Sequence, residues 1–146
     1  MIFELYNEPI WTEWSAIKAY HEAVLPVVRS FSENLALLGT RRWSQDVDEA
    51  ADDPVDFDNV AYVVHFYAAQ PEHGAALRAK VQRALDRGVA VFASEWASVE
   101  ANGDGAPDVD ATRTWLSLLA ANAISHAMWS IHDKDEGASI LQPGTD

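Results

Sequence analysis

The chain has 146 residues, 49% of them hydrophobic and six of them tryptophan, enough for one domain of ordinary size with a sizeable core. Ten basic against twenty-three acidic side chains leave a formal charge of −13, which repels phosphate backbones and anionic headgroups and argues against nucleic acid or a membrane surface as partner. Absence of cysteine removes disulfides and thiolate metal sites but identifies no compartment.

Ile2 to Tyr6 is a mainly apolar run that predicts a strand almost at the first residue, and Met1-Ile2-Phe3-Glu4 lacks the basic start and small-residue cleavage site of a secretory signal. Thr12 to Ser30 follows with helical spacing of Trp14, Ile17, Leu25 and Val28, and Pro26 late in it predicts a kink or an early end. Leu35 to Gly39 is the second strand. Ser44 to Asp53 predicts one or two short helical turns, inside an acidic stretch (Asp46, Asp48, Asp52, Asp53, Asp56, Asp58) that reads as a solvated face. Val60 to Tyr67 is the third strand. Glu72 to Arg87 repeats Leu77, Val81, Ala84 and Leu85 at helical spacing, and Gly88 terminates it. The fourth strand is Val89 to Ala93. Glu100 to Gly105 imitates the start of a calcium loop, but Ala111 stands where a bidentate glutamate belongs, so it reads as a surface loop. Asp110 to Ala121 is a helix with Asp110 as cap and Trp115, Leu118 and Leu119 on one side, and Ile124 to Ile131 is the fifth strand. No run approaches the roughly 18 apolar residues of a membrane span. There is no internal repeat or linker, so residues 1–146 read as one domain. The five histidines show no metal spacing: His21 and His73 read as helix-surface residues, His126 and His132 as packing or rim residues beside the last strand. No metal and no cofactor is expected.

Continuous apolar strands alternating with amphipathic helices indicate an α/β fold with a parallel sheet, either an open doubly wound sheet or part of a (β/α)8 barrel. The polar and aromatic residues favour the barrel. They gather at strand C-termini: Asn7 and Glu8, Trp43, His65 and Tyr67, Glu95 and Trp96, Trp129 and Ser130. Barrel enzymes build their sites on that rim, whereas an open sheet more often carries a glycine-rich phosphate loop, which is absent. Glu8 and Glu95 each fall one or two residues past an apolar strand. Two facing carboxylates, one protonated and one ionised, are the minimal machinery for cleaving a glycosidic bond. On the plainer alternative, Glu8 is an exposed turn residue and Glu95 a helix-start carboxylate. Trp43, Tyr67, Trp96 and Trp129 at strand ends suit stacking on sugar faces, which a purely structural set would not require.

Asn7-Glu8-Pro9, Gly39-Thr40-Arg41-Arg42-Trp43-Ser44-Gln45-Asp46-Val47, His65-Phe66-Tyr67-Ala68, Ser94-Glu95-Trp96 and Trp129-Ser130 with Lys134-Asp135-Glu136 stand in order along the chain. In order and approximate spacing they resemble the bacterial endoglucanases of glycoside hydrolase family 5, over essentially the whole length. The resemblance implies a retaining endo-β-1,4-glucanase acting on cellulose or a related β-glucan, with Glu8 as acid/base and Glu95 as nucleophile. It further implies that Asn7 binds the sugar 2-hydroxyl, that His65 and Tyr67 position substrate and nucleophile, and that Trp129 stacks in the cleft. Trp43 would be a platform on the other side of the scissile bond, and Lys134 and Glu136 would bind hydroxyls at the distal end. By the same resemblance the protein is extracellular and its partners are β-glucan polysaccharide or cello-oligosaccharides.

In that family the Asn-Glu-Pro motif ends the fourth barrel strand, so the chain resembles strands four to eight of a (β/α)8 TIM barrel, a partial barrel. The family's arginine beside the nucleophile and histidine near the acid/base lie in the strands without a counterpart here; loss of such a cation would raise the carboxylate pKa and weaken the nucleophile. Ala97 and Met128 replace a common glycine and a common polar residue, which touches fine positioning. Exposed strand edges in such a segment predict self-association as a homodimer or higher homo-oligomer. The alternatives to hydrolysis are a non-catalytic carbohydrate-binding module and a purely structural half-barrel fragment.

Overall fold

A computed structural model describes residues 1–145. In chain order the elements are β1 (Phe3–Leu5), α1 (Trp14–Arg29), β2 (Ala36–Leu38), α2 (Arg41–Ser44), α3 (Val47–Asp52), β3 (Val60–Tyr67), a 3-10 turn (Pro71–His73), α4 (Ala75–Asp86), β4 (Val91–Ala97), α5 (Val109–Ala121) and β5 (His126–Met128). The strands run in the sheet order β1-β2-β3-β4-β5. By packing, the chain divides into two compact units, Met1–Val64 with Ala79–Phe92, and His65–Arg78 with Ala93–Asp146.

In the first unit β1, β2 and the start of β3 are parallel neighbours, with Phe3 opposite Ala36 and Ala36 opposite Val60. All three residues of β2 are buried. Leu37, Ala61 and Val63 form one apolar cluster, with Leu35 and Phe92 against it. Helix α1 buries Trp14, Ile17, His21 and Leu25, a row at three- and four-residue spacing along one face. The Trp14 indole donates to the carbonyl of Asp53 at 2.9 Å and lies edge-on to Tyr62. Pro26 neither ends this helix early nor strips its last turn: the helix runs to Arg29, and the Ser30 amide donates to the Pro26 carbonyl at 3.0 Å.

His21 is fully buried, so the expectation of a surface histidine is wrong. Four-residue steps from Ile17 to His21 and on to Leu25 put it on the apolar face. Its Nε2 donates to the Gly39 carbonyl at 2.9 Å, while Nδ1 has no partner. Burial pushes its pKa below the ordinary histidine value. The acidic stretch is not simply solvated either. Asp46 is buried and paired with Lys80, Asp48 pairs with Arg83 and Asp52 with Arg87, which sets α3 against the cations of α4 every three or four residues.

In the second unit the end of β3 continues beside β4, with the Ala68 amide donating to the Ala97 carbonyl at 2.8 Å, and β4 pairs in parallel with β5. The core is an aromatic stack: Phe66 lies between Trp115, with ring centroids 4.0 Å apart, and Trp96, at 5.6 Å. The Trp115 indole donates to the His73 carbonyl at 2.8 Å, and His73 Nδ1 accepts from the Tyr67 amide at 2.8 Å. His73 is therefore a buried fastener rather than a surface residue.

Three further boundaries differ from expectation. The fourth strand extends through Glu95 and Trp96 instead of stopping at Ala93, so Glu95 lies within the strand and not beyond it. The fifth is confined to His126–Met128. Asp108, not Asp110, caps α5, its Oδ1 accepting from the Ala111 amide at 2.9 Å. The Glu100 to Gly105 segment is a loop tied to the C-terminal segment, since Asp104 Oδ1 accepts from the Gly137 amide at 3.1 Å and the Ala138 amide donates to Gly103.

Candidate active site

In the first unit, the chain leaving β1 turns through two left-handed residues, Tyr6 (φ 64°) and Glu8 (φ 45°), on either side of the exposed Asn7. Gly39, the residue after β2, lies directly under this turn. A Cβ there would come within 1.9 Å of the Tyr6 carbonyl oxygen, so only glycine allows the approach. Glu8 is half-buried and Pro9 buried. The Pro9 carbonyl accepts from the Trp43 amide at 3.3 Å, and Thr40 anchors the next loop by donating its hydroxyl to the Val63 carbonyl at 2.9 Å.

Trp43 sits in an unusual turn. Arg42, Trp43 and Ser44 all have φ 56°, a left-handed conformation that ordinary residues avoid. The turn is held by amide-to-carbonyl bonds from Ser44 to Thr40 and from Gln45 to Arg41. The result leaves the Trp43 ring 43% exposed, beside the almost fully exposed Trp11.

In the second unit, β3 and β4 bring three side chains together. Two-residue periodicity puts His65 and Tyr67 on one face of β3. The Tyr67 hydroxyl donates to Glu95 Oε1 at 2.6 Å, and His65 Nδ1 lies 3.9 Å from Glu95 Oε2. Each carboxylate oxygen thus has its own neighbour from β3. A phenol donating at this distance fixes the plane of the carboxylate. Ser94 Oγ lies 2.9 Å from His65 Nε2 and so orients the imidazole from its far side. Ser94 was not singled out for a role in the sequence, although its place directly before Glu95 was the available signal.

The remaining aromatics divide. Trp96, expected among the sugar-stacking residues, is only 6% exposed; its ring faces Phe66 and its indole donates to His126 Nδ1 at 3.0 Å, so it is a core residue. Trp129 is 45% exposed just past β5, joined to Ser130 by a cis peptide bond, and its amide donates to the Trp96 carbonyl. Lys134 Nζ pairs with Glu136 Oε2 at 2.6 Å, and His132 Nε2 lies 3.3 Å from Glu136 Oε1. The Glu136 carboxylate is therefore held from two sides, with only 13% of its side chain exposed. No helix among the described residues is long and apolar enough to cross a membrane.

A parallel β/α sheet with an oriented carboxylate at one strand end is an arrangement on which barrel enzymes build their sites, and comparison with known proteins identifies the family. Residues 1–135 match the Cellulase family, glycosyl hydrolase family 5, and the chain belongs to it. It is 45% identical over 145 residues to Endoglucanase Z of Dickeya dadantii, covering 98% of this chain and 34% of that protein. Endoglucanase A of Evansella cellulosilytica is 44% identical, with coverage of 99% and 30%. Among solved structures, cellulase Cel5C_n superposes with a TM-score of 0.94 at 41% identity, over 98% of this chain and 45% of that one. The catalytic domain of Thermobifida fusca endoglucanase Cel5A superposes at 0.93 and 32% identity, over 99% and 49%. The fold is thus a partial (β/α)8 barrel of five parallel strands, and the chain spans about a third of the curated relatives and about half of the solved domains.

Proposed function

We propose that this chain carries the catalytic carboxylates of a retaining endo-β-1,4-glucanase in one catalytic-type domain. The observation that carries the proposal is the Tyr67 hydroxyl on Glu95 Oε1 at 2.6 Å, because a nucleophilic carboxylate must be held in the correct rotation and still be able to leave again. Glu95 attacks the anomeric carbon of a β-linked glucosyl unit while the bond to the leaving oxygen breaks, and Glu8 gives that oxygen its proton. In the second step Glu8 takes a proton from water, the hydroxide attacks the anomeric carbon, and Glu95 is released with net retention. This chemistry requires the two carboxyl groups to stand about 5–5.5 Å apart, with no room for a water between carboxylate and sugar.

Asn7 bonds the 2-hydroxyl, a contact that strengthens as the neighbouring anomeric centre becomes positive in the transition state; His65 supports the nucleophile from the other oxygen. Trp43 and Trp129 stack on sugars on opposite sides of the bond, and Lys134 with Glu136 receives hydroxyls at the distal end. Similarity to a family whose Thermobifida fusca member has been solved with cellotetraose supports a cello-oligosaccharide or β-glucan substrate. It also supports an extracellular location. Exposed apolar side chains at Met1, Ile2, Val27 and Phe31 support a homodimer or higher oligomer, which a measured mass equal to one chain at micromolar concentration would exclude.

Reducing-sugar release from soluble carboxymethyl cellulose, measured beside the Glu95→Gln variant, tests the proposal. Hydrolysis that disappears in the variant supports it. Equal release by both, or release by neither, overturns it.

A further inference from the structure

Trp11 belongs to none of the motifs that carry the family likeness, yet it is the most exposed tryptophan of the chain at 89%, and an indole left in water forgoes the burial that would ordinarily stabilise it. It does not stand at random. Its ring centroid lies 6.2 Å from that of Trp43, with the planes at 67°, an edge-to-face pair. Two ties bracket it in sequence: the Trp43 amide donates to the Pro9 carbonyl at 3.3 Å, and Arg41 pairs with Glu13 at 3.3 Å. Both link the segment around Trp11 to the left-handed turn that presents Trp43.

From this geometry we infer that Trp11 and Trp43 form an aromatic corner that holds an additional β-linked pyranose unit, with Trp11 supplying the outer wall. The inference rests on reading the chain as a β-glucan hydrolase, and it assigns to Trp11 a substrate-length preference that Trp43 alone would not give. A β-glucopyranose carries axial C–H groups on both faces, either of which packs against an indole face, and an equatorial hydroxyl rim, which stays in water. Two indoles at a steep angle contact a C–H face of one sugar and the edge of the next. Strain in the Arg42–Ser44 turn fits the same purpose, since left-handed backbone at three successive non-glycine residues is retained where it presents a side chain.

Cellotriose and cellohexaose binding, measured by titration calorimetry on the Glu95→Gln chain with and without Trp11→Ala, decides the matter. Loss of one aromatic wall weakens cellohexaose roughly three- to tenfold and leaves cellotriose unchanged. Trp11→Phe recovers part of the loss, because a smaller ring still offers a face. Unchanged cellohexaose affinity in Trp11→Ala, or the same loss for both lengths, overturns the inference and leaves the hydrolase reading intact. No binding of either sugar by the Glu95→Gln parent overturns the glucan-site reading and this inference with it.

Discussion

The Tyr67 hydroxyl stands 2.6 Å from Glu95 Oε1, donated from β3 to the adjacent strand β4. Tyr67→Phe removes this one bond and almost no volume. A hydrogen bond to a charged group contributes about 1.5–3 kcal/mol, so kcat/KM for a cello-oligosaccharide is expected to fall roughly 10- to 150-fold with the thermal midpoint little changed. A fall in stability without a fall in rate would make the contact structural only.

His21 gives a pH dependence. Its folded pKa lies below the 6.5 of a free histidine because burial disfavours the charged ring. The unfolded chain therefore binds the proton first. Stability is complete above 6.5 and is lost as pH falls from there toward the folded value, at a rate of at most about 1.4 kcal/mol per pH unit. His21→Gln keeps a donor for the Gly39 carbonyl and removes the titration. Denaturant unfolding of both proteins between about pH 7 and pH 5 should show a shallower slope in the variant.

How much of this was legible in the sequence depends on the residue. Val60 to Tyr67 is read with its observed bounds because seven apolar or aromatic residues interrupted only by His65 leave no other period. The next strand was cut short at Ala93, since Ser94 and Glu95 broke the apolar run, yet the backbone ladder continues: the Trp129 amide bonds to Trp96 and the Ala68 amide to Ala97. A strand end that carries site residues thus loses its hydrophobic signature before its hydrogen bonds. His21 was misplaced for the opposite reason, its residue type outweighing a position four residues from both Ile17 and Leu25. Trp96 was read as a sugar platform because pattern shows only that an aromatic lies near the strand end, not which way the ring turns.

The ion pairs between α3 and α4 are expected to be unequal. Asp46 has a side chain only 9% exposed and pairs with Lys80, so Lys80→Met leaves a largely buried carboxylate without its closest cation. We expect a loss of about 2–3 kcal/mol. Arg83→Met and Arg87→Met act on more exposed pairs and should each cost less than about 1 kcal/mol. Urea midpoints of the three variants give the comparison; equal losses would refute the ranking.

Gly39→Ala should be among the most damaging single-methyl changes. The added Cβ would meet the Tyr6 carbonyl oxygen at 1.9 Å, which forces β1 away from β2 just before Asn7 and Glu8. Overpacking against backbone costs about 3 kcal/mol or more. A thermal midpoint within a degree or two of the parent would mean that this turn is free to move.

Most direct for the central claim is the intact mass of the chain after incubation with a 2-deoxy-2-fluoro-β-cellobioside bearing a good leaving group, followed by peptide mapping. Fluorine at C2 slows breakdown of a glycosyl ester, so a retaining nucleophile is caught in place. The account requires one added fluorocellobiosyl group on the peptide that contains Glu95, absent in Glu95→Gln; an adduct on another residue, or no adduct, contradicts it.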